Sequence, residues 1–253
     1  MSFISTTMLN GHTGVCLLVL LAALIPGIHL QPASEMHSDS QVYQPVLQPS
    51  ETIPPIGTYT LKSSEGKPCI KATMGVEYIV TEKQKTWYFN VDPSRVVITG
   101  HCGKDSAVLS LQLPDNAAGL EFTFTKEKKR SYVSKLTAQL SPRPVCQKCG
   151  NETYSGLLDH QKLFTAEDGS SFGCRSENLL RVSSQLKIKL VPLQMQAFTL
   201  PSGQFGQMVE CWADYSKDVI PIIIGATVVG LILIAMLTFL FIKDRRRQGY
   251  DRI

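Results

Sequence analysis

Apolar and polar residues alternate with a period of two through most of the stretch from Gly57 to Asp214. Each alternating run is bounded by Gly, Pro, Asn or Asp, which is typical of half-buried antiparallel strands. No segment of this stretch keeps a helical period for three turns. The pattern therefore predicts one all-β domain over residues 57–214, built as two packed antiparallel sheets. The apolar positions of the runs are Ile70/Ala72/Met74, Val76/Tyr78/Val80, Leu109/Leu111/Leu113, Leu120/Phe122/Phe124, Leu186/Ile188/Leu190 and Leu193/Met195/Ala197.

A second pattern begins at Val219, where residues 219–242 contain no charged side chain. A helix of this length spans ~36 Å, enough to cross a hydrocarbon core of roughly 30 Å with some tilt. Pro221 is expected in its first turn, where a missing N–H costs little. The following basic residues predict a cytosolic stop-transfer segment by the positive-inside rule: Lys243, Arg245, Arg246 and Arg247. We therefore predict one transmembrane helix, residues 219–242, and a cytosolic tail, residues 243–253.

The N-terminus carries a shorter apolar stretch, Val15 to Ile25, followed by Pro26-Gly27. This is typical of a secretory signal peptide, predicted here as residues 1–31 with cleavage at about 27–33. The first 14 residues contain no Lys or Arg, so an uncleaved signal anchor is the alternative. With cleavage the product is a type I single-pass protein.

Residues 32–56 are rich in Pro, Ser and Thr and contain little to bury. We expect a disordered or polyproline-like linker that could carry O-linked sugars. One N-glycosylation sequon begins at Asn151, and its use would place that loop on the surface.

Charge and cysteine content refine this layout. Most of the net charge of +4 lies in residues 243–253, so the chain shows no footprint of a nucleic-acid-binding protein. Of the seven cysteines, Cys16 lies in the signal segment. The remaining six allow fifteen pairings, and the loops from Cys69 to Cys102 and from Cys174 to Cys211 are similar in size.

Two strings look like chemical motifs. "GSSFG" fits a G-x-S-x-G nucleophile elbow at Ser171, but the surrounding β pattern favours a turn. "CQKC", with Cys146 and Cys149, lacks the helix of a redox site and the further ligands of a zinc site, so a structural loop disulfide is favoured. The five histidines form no cluster. We therefore predict no catalytic residue, no metal site and no cofactor; a lumenal hydrolase is disfavoured.

Several strings resemble one known family. "IGTYTLKSSEGKPCIKATMGVEYIV", "YFNVDPSRVVITGHCG", "FTAEDGSSFGC" and "LKIKLVPLQMQAFTLPSGQFGQMVEC", followed by the span and Gly-Tyr-x-x-Ile, resemble the lysosome-associated membrane glycoprotein (LAMP) family from about Gly57 to Ile253. The resemblance implies a β-prism-like lumenal domain, pairing of Cys69 with Cys102 and of Cys174 with Cys211, and residence in late endosomes and lysosomes.

The chain departs from the archetypal family pattern in three ways. It has one lumenal domain where the archetypal members have two, and it has one sequon where family members are heavily glycosylated. Cys146 and Cys149 lie outside the four-cysteine pattern, and we expect them to bond to each other, with an interchain bond as the alternative.

The ending Gly249-Tyr250-x-x-Ile253 predicts a sorting signal once the tail is cytosolic. We expect the tail to be disordered when free and to bind a clathrin-adaptor μ subunit by strand addition, with Tyr250 and Ile253 in two apolar pockets. The expected location is the lysosome and the late and early endosome membrane, with transit through the cell surface. A recycling adhesion or receptor glycoprotein is the alternative. Ala226 and Gly230 form a small-xxx-small pair that would permit a homo-oligomer.

Overall fold

The computed structural model describes residues 42–145 and 152–250, with side chains described as far as Arg245. These residues form thirteen strands and then one long helix, α1 (Trp212–Tyr250). The strands are β1 (Ile56–Lys62), β2 (Pro68–Glu82), β3 (Lys85–Asn90), β4 (Val97–Cys102), β5 (Ser106–Gln112), β6 (Ala118–Glu127), β7 (Arg130–Leu140), β8 (Tyr154–Leu158), β9 (Leu163–Glu167), β10 (Ser171–Cys174), β11 (Asn178–Arg181), β12 (Leu186–Ala197) and β13 (Met208–Glu210).

The strands form two sheets. The first has the order β1-β2-β12-β10-β13, with β3 beside β2 and β11 beside β12; the second has the order β4-β5-β6-β7-β8, with β9 beside β7. In the part of the chain that the structure describes, one strand pair is parallel, β10 with β13, and the others are antiparallel. The all-β domain with two sheets and a C-terminal helix is confirmed, and the expectation of purely antiparallel sheets is corrected at this one pair.

The alternating runs form the core between the sheets. None of their apolar residues is more than 5% exposed. Successive side chains of a strand point to opposite faces, so a period of two delivers every second residue to the core. Burial of each large aliphatic or aromatic side chain stabilises the fold by roughly 1.5–3 kcal/mol. The hydrophobic pattern is therefore the main link between this sequence and its fold.

The pattern changes phase once within β12, between Leu190 and Leu193. Both residues are buried although they are an odd number of positions apart. The pairing of β12 with β2 is irregular at this place, as a β-bulge requires. Pro192 cannot donate a ladder hydrogen bond, so an irregular position suits it. The bulge returns the second half of the strand to the core.

The segment before β1 departs from the predicted linker. Leu47 is 8% exposed and belongs to the core, and Gln48 exchanges two backbone hydrogen bonds with Tyr88, at 2.8 and 2.9 Å. The Asn90 amide donates to Thr52 Oγ1 at 2.7 Å. The structure thus corrects the linker prediction for residues 42–55, because prolines limit ladder pairing without preventing burial. Residues 32–41 lie outside the described ranges.

A buried ion cluster attaches this segment to the first sheet. Lys189 of β12 is 4% exposed, and its Nζ lies 2.5 Å from the carboxylate of the fully buried Glu77. The same ammonium also donates to the carboxylate of Glu51. Burial lowers the pKa of Lys189, but the hydrogen bonds from Lys189 to Glu51 and Glu77 outweigh this effect and raise it overall. Lys189 is therefore charged at neutral and acidic pH.

A hydrogen bond of a fully buried tyrosine crosses the core. The hydroxyl of Tyr78, in β2, donates to the carbonyl of Gly119, in β6, at 2.8 Å. Burial, together with the nearby Tyr59, raises the pKa of Tyr78 far above its ordinary value, so the hydroxyl is always a donor. A neighbouring cavity of about 10 Å³ has room for at most a single water. This part of the interior is filled by side chains.

Candidate functional site

The most distinctive functional element is α1, whose 39 residues extend ~58 Å. Its apolar side chains are exposed, including Ile222 at 70% and Phe241 at 74%. A run of exposed apolar residues from 219 to 242 would be strongly unfavourable in water and matches a hydrocarbon core. By length and composition it is the one described helix that could cross a membrane.

The helix begins earlier than the uncharged stretch predicts. It starts at Trp212, so Pro221 lies inside the helix and not in its first turn. Proline at an interior position removes the hydrogen bond to the carbonyl four residues before it. Membrane helices tolerate this because neighbouring groups satisfy the freed carbonyl. The expectation that Pro221 opens the helix is therefore wrong.

The helix also continues beyond the apolar segment, to Tyr250. Residues 243–250 are helical, which differs from the expectation of a tail that is disordered when free. Helix propagation costs little once a helix is nucleated, and Lys, Arg and Gln are good helix formers. Basic residues also interact favourably with the C-terminal end of the helix dipole. The described side chains of Lys243 and Arg245 are exposed, Arg246 and Arg247 lie where only the backbone is described, and Ile253 lies outside the described residues.

A buried carboxylate joins α1 to the β domain. Asp214 is 5% exposed and accepts hydrogen bonds from two backbone amides of the turn between β10 and β11: from Arg175 at 2.5 Å and from Ser176 at 3.0 Å. Charge-assisted hydrogen bonds of this kind contribute roughly 1.5–3 kcal/mol each. An acidic residue in the first turn also interacts favourably with the helix dipole. We call this arrangement the Asp214 clamp.

Side chains around the clamp add further contacts. The guanidinium of Arg175 lies 2.8 Å from Asp218 and 3.8 Å from Glu210. Lys217 donates to the hydroxyl of Ser176 at 2.9 Å. Exposed pairs of this kind contribute at most about 1 kcal/mol each, so the buried Asp214 carries most of the attachment. No period or motif marks these residues, because the contacts join positions about forty residues apart in the chain.

The two disulfides within the described residues have the pairing that the family resemblance implies. Cys69 bonds to Cys102, which joins β2 to β4, and Cys174 bonds to Cys211, which joins β10 to the start of α1. The second bond lies next to the Asp214 clamp. Cys211 directly precedes Trp212, the first residue of α1, so the disulfide attaches the start of the helix to the domain.

Several predicted sites lie outside the described residues. These are the signal peptide (residues 1–31), Cys146, Cys149 and Asn151. The pairing of the two CQKC cysteines and the use of the sequon remain predictions. So does helix pairing through Ala226 and Gly230, since the structure contains a single chain.

The "GSSFG" string forms a turn and a strand, as expected. Ser171 is fully buried, accepts a hydrogen bond from the Gln194 amide at 3.0 Å and opens β10. Gly169 has a φ of +83°, which an L residue rarely adopts. A Cβ at Gly173 would lie 2.3 Å from the sulfur of Met208, so this glycine lets β13 approach β10. The glycines therefore serve the turn and the sheet.

One group of residues has the spacing of metal ligands. Cys174, Cys211 and Asp214 place their ligand atoms within 4.8 Å of one another. Zinc requires thiolates, and both sulfurs are joined in a disulfide. The two described histidines do not add to this group, because His160 is 94% exposed beside its chain neighbour Asp159 and His101 lies in β4. The donor set does not suit a metal.

The basic string from Lys126 to Arg130 forms the exposed tip of the β6–β7 hairpin, as expected. Lys126 pairs with Asp168 at 2.7 Å and Lys162 with Glu127 at 2.6 Å. A surface cavity of about 640 Å³ lies beside these residues. One cation of the string, Lys126, and the nearby Lys162 are thus paired with carboxylates of the same domain.

In the described residues a disulfide-bonded two-sheet domain is followed by one apolar helix that could span a membrane, which fits a single-pass membrane protein with a folded ectodomain. A family model, "Lysosome-associated membrane glycoprotein 2-like, luminal domains", matches residues 44–212. The chain belongs to this family of lysosome-associated membrane glycoproteins. The start of the match at residue 44 agrees with the packing of residues 42–55 onto the domain.

Relatives and solved structures agree with this assignment. The chain is 34% identical over 221 residues to human lysosome-associated membrane glycoprotein 3, covering 85% of this chain and 50% of that protein. It is 29% identical to bovine lysosome-associated membrane glycoprotein 1, covering 79% of this chain and 49% of the relative. The chain thus spans about half the length of these curated relatives.

The crystal structure of human LAMP-3 (DC-LAMP) superposes with a TM-score of 0.56 at 31% identity, covering 62% of this chain and 99% of that one. The membrane-proximal domain of mouse LAMP-1 gives a TM-score of 0.55 at 24% identity, covering 64% of this chain and 99% of that domain, and shows the shared fold.

Proposed function

We propose that this chain is a type I glycoprotein of lysosomal and endosomal membranes, delivered there by its C-terminal sequence Gly249-Tyr250-x-x-Ile253. Membership of the lysosome-associated family supports the compartment. The apolar helix after a lumenal-type domain supports the topology, because a helix in this position, followed by basic residues, would leave the C-terminus on the cytosolic side. Within the endolysosome we propose a role in membrane integrity or in the fusion of autophagosomes and phagosomes with lysosomes.

The proposed mechanism of delivery is strand addition to a clathrin-adaptor μ subunit. An extended tail would pair with an edge strand of the adaptor, while Tyr250 and Ile253 fill two apolar pockets. Asp251 and Arg252 lie between the two anchors and would face solvent or charged groups of the adaptor. Spacing of three positions suits an extended chain, because a helix would bring the two side chains too close together.

The helical state of residues 243–250 adds an energetic step to this mechanism. The last turn of α1 would unwind before the tail binds. This costs little, because the end of a helix frays easily and Gly249 is about 1 kcal/mol less favourable in a helix than alanine. Unwinding the last turn then delivers Tyr250 in the extended conformation.

The proposal is tested with two tail variants of the full chain in cells. Tyr250→Ala removes one anchor and should raise the cell-surface fraction several-fold, measured by surface biotinylation. Arg252→Ala is the matched control, since it keeps both anchors, Tyr250 and Ile253, and it should distribute like the parent protein. If Tyr250→Ala stays in lysosomes at steady state, the sorting role is refuted. If the parent protein remains mainly at the surface, a recycling surface glycoprotein is the better description.

A further inference from the structure

The position of the β10–β11 turn, Arg175–Glu177, is fixed against a part of α1 that lies next to the membrane. The Asp214 clamp fixes its backbone, and Arg175 reaches further along the helix, to Asp218 at 2.8 Å. Lys217 holds Ser176 between these two contacts. The turn therefore follows the helix from Asp214 to Asp218.

Asp218 is the last charged residue before the uncharged segment of residues 219–242. That segment is ~36 Å long and fills a core of roughly 30 Å when tilted. Asp218 then lies at the boundary between hydrocarbon and headgroups. The headgroup layer adds only about 5–8 Å on each side. A turn whose arginine contacts Asp218 must reach into this layer.

Two aromatic residues lie on another face of the same helical turns. Trp212 is 75% exposed and Tyr215 47% exposed, with ring centroids 5.7 Å apart. They precede the uncharged segment by about 6–10 Å along the helix, which is about 5–9 Å along the membrane normal at the tilt given above, so Tyr215 lies within the headgroup layer and Trp212 at its outer edge. Trp and Tyr are enriched at this depth because their rings are amphipathic. Their exposure is unfavourable in water and suits the headgroup region.

We propose that the lumenal domain is seated on the lumenal leaflet of its own membrane, with the β10–β11 turn and the Trp212–Tyr215 pair in the headgroup layer. The occupant of this surface is phospholipid headgroup, because the surface is continuous with the membrane-spanning helix. The Asp214 clamp and the Cys174–Cys211 bond hold the domain in one orientation, without a swivelling stalk. This inference concerns the lumenal side and does not depend on the sorting signal.

The chain offers a direct reporter of this contact, since it has two tryptophans, Trp87 and Trp212. In the full chain reconstituted into phosphatidylcholine vesicles, Trp87→Phe leaves Trp212 as the only tryptophan. Its emission should be quenched several-fold more by lipid with a nitroxide on the headgroup than by lipid with a nitroxide at the end of the acyl chain. Trp212→Phe is the matched control that gives the quenching of Trp87 alone. If the headgroup nitroxide quenched the Trp87→Phe and Trp212→Phe variants equally, the proposal for the aromatic pair would be overturned.

A second reporter tests the turn. In a Trp87→Phe/Trp212→Phe background, Glu177→Trp places one tryptophan at an exposed position of the turn, and the headgroup nitroxide should quench it. Adding Asp214→Ala should lower this quenching at least twofold, because the turn is no longer held to the helix. Absence of quenching before that change means that the turn stands clear of the membrane and overturns the proposal. If the Glu177→Trp variant does not fold, the Trp212 experiment still tests whether the domain is seated in the headgroup layer, because it leaves the Asp214 clamp intact.

Discussion

The hydroxyl of Tyr78 donates a hydrogen bond to the carbonyl of Gly119 at 2.8 Å and links the two sheets through the core. Tyr78→Phe keeps the ring but leaves this carbonyl without its cross-sheet donor. We expect the free energy of unfolding to fall by about 1–2 kcal/mol. Urea denaturation of the detergent-solubilised chain, followed by tryptophan fluorescence, measures the change.

Tyr43→Phe is the control for this substitution. Its ring packs over Arg95, with 5.0 Å between the guanidinium carbon and the ring centroid, and phenylalanine preserves that contact. We expect the free energy of unfolding to change by less than about 0.5 kcal/mol, as for most surface substitutions. Equal effects of the two substitutions would show that the cross-sheet hydrogen bond contributes nothing specific.

The buried pair of Lys189 and Glu77 predicts a larger effect. Lys189→Met leaves the Glu77 carboxylate buried without its nearest cation, which should cost about 3–5 kcal/mol. Replacing both partners, as Lys189→Met with Glu77→Leu, should restore most of the lost stability, because no charge then remains in the interior. Urea denaturation of the two single variants and the double variant gives the coupling energy. Additive effects would contradict direct pairing.

The contact of Lys126 with Asp168 predicts the behaviour of the domain in acid. The hydrogen bond from Lys126 is the main factor that lowers the pKa of Asp168 below its ordinary 3.8. A carboxyl with a depressed pKa stabilises the fold fully at any pH above its pKa in the unfolded chain. This stabilisation is lost as the pH falls through its lower pKa in the folded chain. The contribution of the Lys126–Asp168 contact to the stability of the fold should therefore be constant from neutral pH to about pH 5 and decline below about pH 4.

Thermal unfolding of the parent chain and of Lys126→Met between pH 7 and 3 tests this prediction. The difference in melting temperature between the two should be constant down to about pH 5 and shrink below about pH 4. A difference that grew with acidity would have the wrong sign for a depressed carboxyl pKa.

Each disulfide closes a loop of similar length, with sequence separations of 33 and 37 residues. The chain-entropy model gives about 3–4 kcal/mol for either bond. The Cys69→Ser/Cys102→Ser and Cys174→Ser/Cys211→Ser variants should therefore lose similar stability in urea. Only the second should increase amide exchange of Arg175 and Ser176, because it alone loosens the start of α1. Equal amide exchange in both double variants would show that the Cys174–Cys211 bond does not support the Asp214 clamp.

The interior of the domain was predictable because burial leaves a period of two in the sequence. Tyr78 and Ile188 illustrate the rule, since each lies at a predicted apolar position and each is almost completely buried. The segment around Leu47 was not predicted, since a segment that pairs through an isolated bridge, at Gln48 and Tyr88, shows no period. Its anchors, such as Asn90, belong to distant strands.

The contacts between α1 and the β domain could not be predicted from the sequence, for a different reason. Asp214 reads as an ordinary polar residue before a membrane span, and its role depends on amides nearly forty positions earlier. These contacts involve the first turns of α1, before Val219. Disulfide pairing was implied by the family resemblance, and counting cysteines left fifteen alternatives.

The central claim, that Tyr250 directs this family member to the endolysosome, is tested most directly by proximity labelling from the tail. A labelling enzyme inserted between Arg247 and Gln248 leaves the C-terminal residues free. With Tyr250 intact, we predict labelling of clathrin-adaptor μ subunits and of lysosomal membrane proteins. With Tyr250→Ala, both sets should fall together and plasma-membrane proteins should rise. Unchanged labelling of lysosomal proteins in the Tyr250→Ala chain would contradict the account.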